Sequence, residues 1–544
     1  MTAMNTTQLS SRRLRAPREN RSVVVDPPWH EIPHALEENI AARAGWEYDF
    51  QGKSSRRLMA EARAELRAAT TCWKNACCGY KPPFDAAGPI ILAGHQPQMF
   101  HPGVWLKNFA LGRLAENHGA AAVNLIIDSD VAANPALFVP SGSAASPERV
   151  SLAYDRPEPV VPYEERRVED RALFESFARR AAEKISPFVK NPLLDKFWPL
   201  AVAQSRKHGL LGASLAQARH LLERSWGSST WEVSQSTVCD QPAFFRFTAH
   251  LLAQMPQFLA IYNAAVGEFR RLHRIRNHAH PVPDLAVEGD WLEAPFWIWT
   301  AENPRRRRLF VRASGRETWL SDRQNFETKI SLSPEADGGR AAEQLAELRR
   351  GGVKIRSRAL VTTLWARLVL GDLFIHGIGG GNYDQVTDTI IDRFFGCTPP
   401  RFMVLSATLL LPIERQAKSL EEPAVLAAKL RELTYHPERF LDGMSDTAEG
   451  RSSYASSLIA EKLCWIETPP TRENAKRRCR NIRNLNERLQ PWLAELRSQF
   501  QRRRDLAAVE ARKEKILNWR EYAFCLYPEE AIREFFDVLL MDIA

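Results

Sequence analysis

Two nearly continuous apolar runs, PIILAG at 89–94 and AAVNLIIDSD at 121–130, flank an amphipathic stretch, VWLKNFALGRLAENHG. This spacing predicts a β–loop–α–β unit. Strands apolar on both faces belong to a parallel sheet covered on both sides. The pattern recurs near the end of the chain. DLFIHGIGGGNYDQVTDTIIDRFFG at 372–396 predicts a strand, a Gly-rich loop and a helix, and RFMVLSATLLLPI at 401–413 predicts the next strand. Between the two units the periodicity is mostly helical, over ESFARRAAEKI, GASLAQARHLLERS and the stretch 244–277, which reads as one long helix or two. HAHPVPDL at 278–285 breaks that stretch. EAPFWIWTAENPRRRRLFVRA at 293–313 then predicts two strands joined by a basic turn. VKIRSRAL reads as a short strand or an extended approach to another helix.

Elsewhere, RRLMAEARAELRAAT at 56–70 is rich in strong helix formers and leads into an exposed connection over KPPFDAAGP. Residues 473–519 show heptad-like spacing at Ile482, Leu485, Leu489, Trp492, Leu496 and Phe500. The stripe continues less regularly through Leu506, Val509, Ile516 and Leu517, and Pro491 predicts a kink or a new helix start. The resulting fold class is α/β: a Rossmann-like parallel-sheet core, a helical connecting region and a C-terminal coiled-coil-like helical arm. The expected division is a flexible tail at 1–27, core at 28–240 and 341–450, a helical and β-hairpin insertion at 241–340, and the arm with a C-terminal segment at 451–544. An arm packed within the molecule is the preferred reading, and a homodimer through it is the alternative.

Composition narrows the function. At 544 residues, with 44% hydrophobic and 26% charged residues, the chain is a globular protein of more than one unit. The net charge of +9 is modest for this length. Basic runs such as 305–308 read as local solvated faces, so nucleic acid is not the expected partner, whereas a small polar or anionic metabolite is. The eight cysteines form no pair of CxxC elements, and no run is apolar enough for secretion or for a membrane span. A reducing cytoplasm is the expected location, and no metal site is assigned.

The candidate chemistry sits where the predicted strands end. In GHQPQMFHPG, Gly94 permits close approach, His95 and His101 titrate near neutrality, and Gln96 is polar. The following helix offers free N–H groups to an anion, with Lys107 one turn in. Asp128 and Asp130 close the second strand and would hold the polar groups of a substrate, or cap the next segment. In HGIGGGNYD, the amides of Gly379, Gly380 and Gly381 could cradle negative charge. Asn382 and Asp384 point back from the next helix, and His376 ends the strand. Arg356 and Arg358 suit a carboxylate or phosphate. HAH at 278–280 could bind a metal from a loop, with Glu293 near in sequence, but local spacing fixes no third ligand. The roles expected are His95 as orienting group or base, Asp128 as a binder of polar groups and Asp384 toward an attacking amine.

The order GHQPQMF, LIIDSD and RALVTTLWARLVLGDLFIHGIGGGNYD resembles the bacillithiol synthase family, the cysteine-adding enzymes. That family carries a GQQPGLF-like loop, a later RPL…GGPGE-like loop and a long helical arm. The resemblance implies a first substrate loop at Gly94, His95, Gln96 and Pro97, a second wall at Gly379, Gly380 and Gly381, and an acidic position near Asn382 and Asp384. It implies condensation of an amine or amino sugar with an amino acid such as cysteine. His95 stands where the family has glutamine, and the GGPGE proline is missing. The loop is also similar, more remotely, to nucleotidyltransferase-like Rossmann proteins, without a clear HxGH. An adenylating enzyme using ATP and Mg²⁺ and a non-catalytic metabolite-binding scaffold therefore stand as alternatives.

Overall fold

The two predicted β–loop–α–β units meet in one six-stranded sheet. Its order is Ser22–Asp26, Met403–Thr408, Leu373–His376, Ile90–His95, Ala121–Ile126 and Trp231–Ser234. The last five strands run parallel, and Ser22–Asp26 pairs antiparallel with Met403–Thr408, so the sheet is mixed. The computed structural model describes residues 13–77, 88–132, 134–413, 421–441 and 449–543. The chain divides into two compact units. The first comprises Met1–Ser141, Val150–Pro412 and Arg520–Ala544, and the second comprises Gly142–Arg149 and Ile413–Trp519. Among the described residues no helix is long and apolar enough to cross a membrane.

Ile90, Ile91, Leu92 and Ala93 are fully buried because helices cover the sheet. Helix Pro102–Asn117 packs on Ile90–His95, Ala121–Ile126 and Met403–Thr408. Helix Ile378–Phe395 packs on Leu373–His376 and Met403–Thr408. The core of this unit runs from Leu92 and Leu125 through Phe244, Phe247 and Phe258 to Ile298, Leu364 and Ile390.

Several expectations change. The flexible tail expected over 1–27 does not extend that far: SVVVD forms the edge strand. The main chain of Leu14 exchanges two hydrogen bonds with the Asn382 amide, each 3.0 Å, and Thr408 Oγ1 donates to Pro17 O at 2.7 Å. Residues 1–12 of that tail, and 81–87 of the connection after the first long helix, lie outside the described residues. The stretch 244–277 is two helices, Pro242–Ala253 and Met255–Leu272, with Pro256 in the first turn of the second, where its missing N–H costs nothing.

The hairpin expected at 293–313 is part of a larger antiparallel sheet. Its order is Glu327–Ser331, Glu317–Ser321, Arg307–Ser314, Trp291–Thr300 and Val353–Ser357, with Val287–Glu288 beside Trp291–Thr300. Val353–Ser357, expected in the second half of the core, thus pairs with the insertion. The C-terminal segment from Arg520 onward packs with the sheet unit, because the Phe524 ring packs at a tilt against Trp105 at 4.3 Å and its amide donates to Phe100 O.

The Gly-rich segment is not a loop. The helix begins at Ile378, and Gly379, Gly380 and Gly381 form its first turn, with Gly377 as N-cap. The reason is close packing. A Cβ on Gly381 would lie 2.2 Å from Val404 Cγ2 on the neighbouring strand.

In the second unit, helix Glu449–Glu467 packs on Ala475–Leu489, and Pro423–Tyr435 packs on Ala494–Leu517. Ala455, Leu458, Leu485 and Leu489 form a small core beside Trp465 and Trp492. The partner helices for the predicted stripe are therefore in the same chain. Pro491 sits in a short 3₁₀ turn between two helices. Leu506 and Val509, expected on the buried stripe, are 63% and 53% exposed and lie off it, while Ala507 between them is buried and Ile516 and Leu517 are half-buried.

Glycine requirements separate two substitutions. A Cβ on Gly103 would sit 1.7 Å from Ala407 O, whereas one on Gly267, inside a helix, would meet nothing within 4 Å. Gly103→Ala is expected to destabilise the protein by about 3 kcal/mol through overpacking. Gly267→Ala is expected to stabilise it by roughly 1 kcal/mol through helix propensity. Denaturant midpoints of the two variants check both signs.

Candidate functional site

His95 and His376 end two adjacent parallel strands. The chain leaves the first strand toward Ala121–Ile126 on one side and the second toward Met403–Thr408 on the other. In open α/β sheets this reversal opens a crevice beyond the carboxyl ends. A cavity of about 660 Å³ lies there. Its lining includes ten of the fourteen residues singled out from the sequence: Gly94, His95, Gln96, His101, Lys107, Asp130, Arg358, His376, Gly379 and Gly380.

The other four do not line it. Asp384 is fully buried behind His376. Its Oδ2 lies 2.9 Å from His376 Nε2 and accepts from Arg367 at 2.6 Å, while Thr363 Oγ1 donates to Oδ1 at 2.6 Å. Burial alone would raise this carboxyl; Arg367 and His376 override it and hold it below the ordinary carboxylate range. Such a group is neither a base nor a site for a substrate amine. It is a fixed negative charge that orients a histidine.

Asp128 is likewise turned away. Both its oxygens accept from Ser236, N–H at 2.9 Å and Oγ at 2.5 Å, so it caps the turn Gln235–Cys239. Burial, with Glu164 beside it, pushes its carboxyl up to about 7. Asn382 bonds the Leu14 main chain, and Gly381 faces Val404.

His376 gains from this arrangement. With Asp384 ionised, Nε2 carries the proton and donates it, leaving the Nδ1 lone pair free. The Cβ that Gly380 lacks would lie 2.7 Å from Nδ1, so glycine keeps that side of the ring clear. Burial lowers the imidazole below its ordinary value, with Asp384 opposing, so the ring is a neutral base at pH 7.

The remaining polar groups set the charge of the cavity. Lys107 is 3% exposed and donates to Gly94 O at 3.2 Å. Burial, with Arg219 nearby, lowers its ammonium to about 8, so it is charged at neutral pH. His95 is lowered to about 3 by burial and then by Lys107, which makes it a neutral wall rather than an acid. His101 caps helix Pro102–Asn117: its Nδ1 accepts from Gly103 N–H at 3.1 Å, and Nε2 lies 3.4 Å from Glu521. Burial and Arg520 lower it to about 3. Asp130 accepts from Gln96 at 3.1 Å and pairs with Arg306 at 2.9 Å. Arg306 and Arg358 lie over the ring of Trp297 at 4.3 and 4.7 Å, and Arg358 also pairs with Glu293 at 2.5 Å.

Sequence reasoning missed Arg306, Arg520, Arg367 and Thr363. Arg306 sits in a basic turn read as solvated. Arg520 lies more than a hundred residues from any strand end in the sheet. Arg367 belongs to a wide π-type turn, Ala366–Leu370, inside an apolar run. Trp297 was visible only as part of the strand predicted within 293–313. Arg356, paired with Arg358 in the sequence, is fully buried between Glu164 and Asp240 and does not face the cavity. His278 and His280 are exposed, and Glu293 is held by Arg308 and Arg358, so these three make no metal site.

Lys107, Arg306, Arg358 and Arg520 thus line the cavity, the three arginines paired with Asp130, Glu293 and Glu521 in turn. Trp297 and Tyr262 supply flat apolar surface beside the charges. No known protein family matches the chain, and no curated protein matches it.

The Asp384–His376 pair makes a checkable statement. In Asp384→Asn the side-chain amide can donate to Nε2, which moves the imidazole proton to Nδ1, while Asp388 still holds Arg367. Nitrogen-15 NMR of the imidazole should show protonated Nε2 in the native protein and protonated Nδ1 in the variant. An unchanged tautomer would contradict the assigned role of Asp384.

Proposed function

We propose that this chain is an enzyme of small-molecule metabolism with a Rossmann-like core, joining an amine to an acyl group on an anionic metabolite. This is the chemistry that the resemblance to bacillithiol synthases implies. The observation that carries the reading is the convergence of an Asp-oriented histidine with four cationic side chains in one cavity at the strand-order reversal. The strand order supports the core assignment. Numbered from Ile90–His95, the parallel strands read 3-2-1-4-5, the order of dinucleotide-binding doubly wound sheets.

In this reading the anionic end of the substrate lies between Arg306, Arg358 and Lys107, with its apolar part against Trp297. His376 Nδ1 accepts a proton from the amine as its nitrogen attacks the acyl carbon. The C–N bond forms, and an acyl phosphate or acyl adenylate loses its phosphate group with the bonding electron pair. Positive charge at Lys107 and the free amides at the start of helix Ile378–Phe395 stabilise the charge that develops. Holding the two reactants together supplies much of the acceleration. ATP with Mg²⁺ is the chemical source that would generate such an acyl donor. The purely adenylating reading, which expects a nucleotide with Mg²⁺ at His95, His101 and Asp128, gains less support, because the last two cap helices.

Thermal shift of the purified protein tests the reading, since a ligand bound only by the folded state raises its melting temperature. The panel comprises amino sugars, cysteine and other amino acids, and small dicarboxylates, with and without ATP and Mg²⁺. Stabilisation by an anionic amine or amino acid is expected. Stabilisation by ATP with Mg²⁺ and nothing else would favour nucleotidyl transfer. For the ligand so found, Lys107→Met should weaken binding roughly ten- to a hundred-fold, as loss of a charged hydrogen bond does. Affinity should also fall as pH rises through about 8, where Lys107 loses its proton. Affinity flat from pH 7 to about pH 9 would remove Lys107 from the site.

A further inference from the structure

Behind the cavity, on helix Leu211–Ser225 and strand Trp231–Ser234, lies a second group of polar side chains that the proposed reaction does not use. His220 and Glu223 are three residues apart and share one face of the helix. Glu232 comes from the strand. His220 and Glu223 are fully buried, and Glu232 is 1% exposed. Their ligand atoms lie within 4.8 Å of one another.

The hydrogen bonds are unevenly distributed. Glu223 Oε1 accepts from Trp105 Nε1 at 2.6 Å, Asn108 Nδ2 at 2.7 Å and Arg219 at 2.9 Å. Its Oε2 is buried and accepts nothing. Glu232 Oε1 accepts from Arg219 at 2.6 Å and Asn124 Nδ2 at 2.8 Å, and its Oε2 is also without a partner. Both ring nitrogens of His220 and Asn124 Oδ1 are equally bare. Each carboxylate is thus anchored by one oxygen and leaves the other free. Buried polar atoms in native proteins are almost always paired, so several bare acceptors in one group point to a missing partner.

We propose that His220, Glu223 and Glu232 bind a divalent transition-metal ion of the zinc or manganese class. An ion accepts lone pairs from all three groups at once, whereas a neutral imidazole has one proton to give. Bonds of about 2 Å to nitrogen and carboxylate oxygen bridge this span with small side-chain rotations. Arg219 supplies one positive charge against two carboxylates, which leaves a net negative charge for a cation to offset. Arg219, Asn108 and Trp105 hold the far oxygens and so orient the ligands, as outer partners do in metal sites. The ion ties helix Leu211–Ser225 to strand Trp231–Ser234, and the Trp105 and Asn108 hydrogen bonds to Glu223 join them to helix Pro102–Asn117, which carries Lys107. Its role is therefore to brace the cavity from behind.

The test is metal content. Full-length protein from metal-supplemented medium, purified without a metal-affinity step, is analysed by plasma mass spectrometry. One equivalent of transition metal per chain is expected, and its removal by chelator under mild denaturation lowers the melting temperature. Refolding with cobalt gives an absorption spectrum without a thiolate band. Glu232→Gln keeps the oxygen that accepts from Arg219 and Asn124 but loses the negative charge, and it should lose the metal while remaining folded. A triple substitution of His95, His101 and His376 to Ala should retain it. The proposal is overturned if folded protein carries no metal and takes up neither zinc, manganese nor cobalt, a buried water then satisfying the same atoms. It is overturned equally if the metal survives Glu232→Gln and leaves with the three cavity histidines. Should Glu232→Gln fail to fold, the stoichiometry and cobalt spectrum of the native protein decide alone. Since the cavity is assayed by anionic ligands and this site by metal, either reading can fail without the other.

Discussion

The buried carboxylate of Asp384 organises the region around it. From helix Ile378–Phe395 it binds the end of strand Leu373–His376 through His376, helix Ala359–Trp365 through Thr363 and the wide turn after that helix through Arg367. A buried charge is costly unless fully paired. Once paired, it resists rearrangement, since moving any one partner strands the others. The glycines around it follow from the same constraint. The helix must begin close to the strand for Asp384 to reach His376, and only residues without a Cβ tolerate that approach at positions 380 and 381.

Chemistry and fold meet at the reversal of strand order. The parallel strands deliver two histidines side by side, and the antiparallel sheet brings Trp297, Arg306 and Arg358 to the same opening. Neither sheet alone makes the cavity. The mostly parallel sheet and the helix after its first strand bring His376 and Lys107, and the second sheet brings two arginines and a tryptophan. Burial then sets the protonation states: neutral at His95 and His376, charged at Lys107.

Much of this was legible in the sequence. The apolar runs at 89–94 and 121–130 gave the inner strands, and polar residues after them marked the cavity, because in a parallel sheet the strand ends are where polar side chains collect. What failed had physical causes. Asp384 was read as facing a ligand because its position in the first turns of a helix was visible, but its partner Arg367 was hidden in an apolar run. Asp128 was read as a substrate contact, and it caps a turn that begins a hundred residues later. Periodicity also says nothing of edge strands such as Ser22–Asp26, whose five residues are all half-buried and look like any polar-flanked tail. The metal-ligand group was invisible for the same reason: two of its members form an unremarked helical pair, and the third follows on a strand.

The contact between Asn382 and Leu14 carries a consequence for how the chain can vary. Both hydrogen bonds go to the main chain of Leu14, and neither reads its side chain. Between Leu14 and Pro17 the path past the cavity wall at Ala16 is therefore held through the main chain, while Asn20 further on is held by its side chain on Leu410 N–H. Relatives could exchange the side chains that border the cavity at this edge without disturbing the sheet. The shape of the cavity at this edge could thus change at Ala16 while the sheet behind it stays constant.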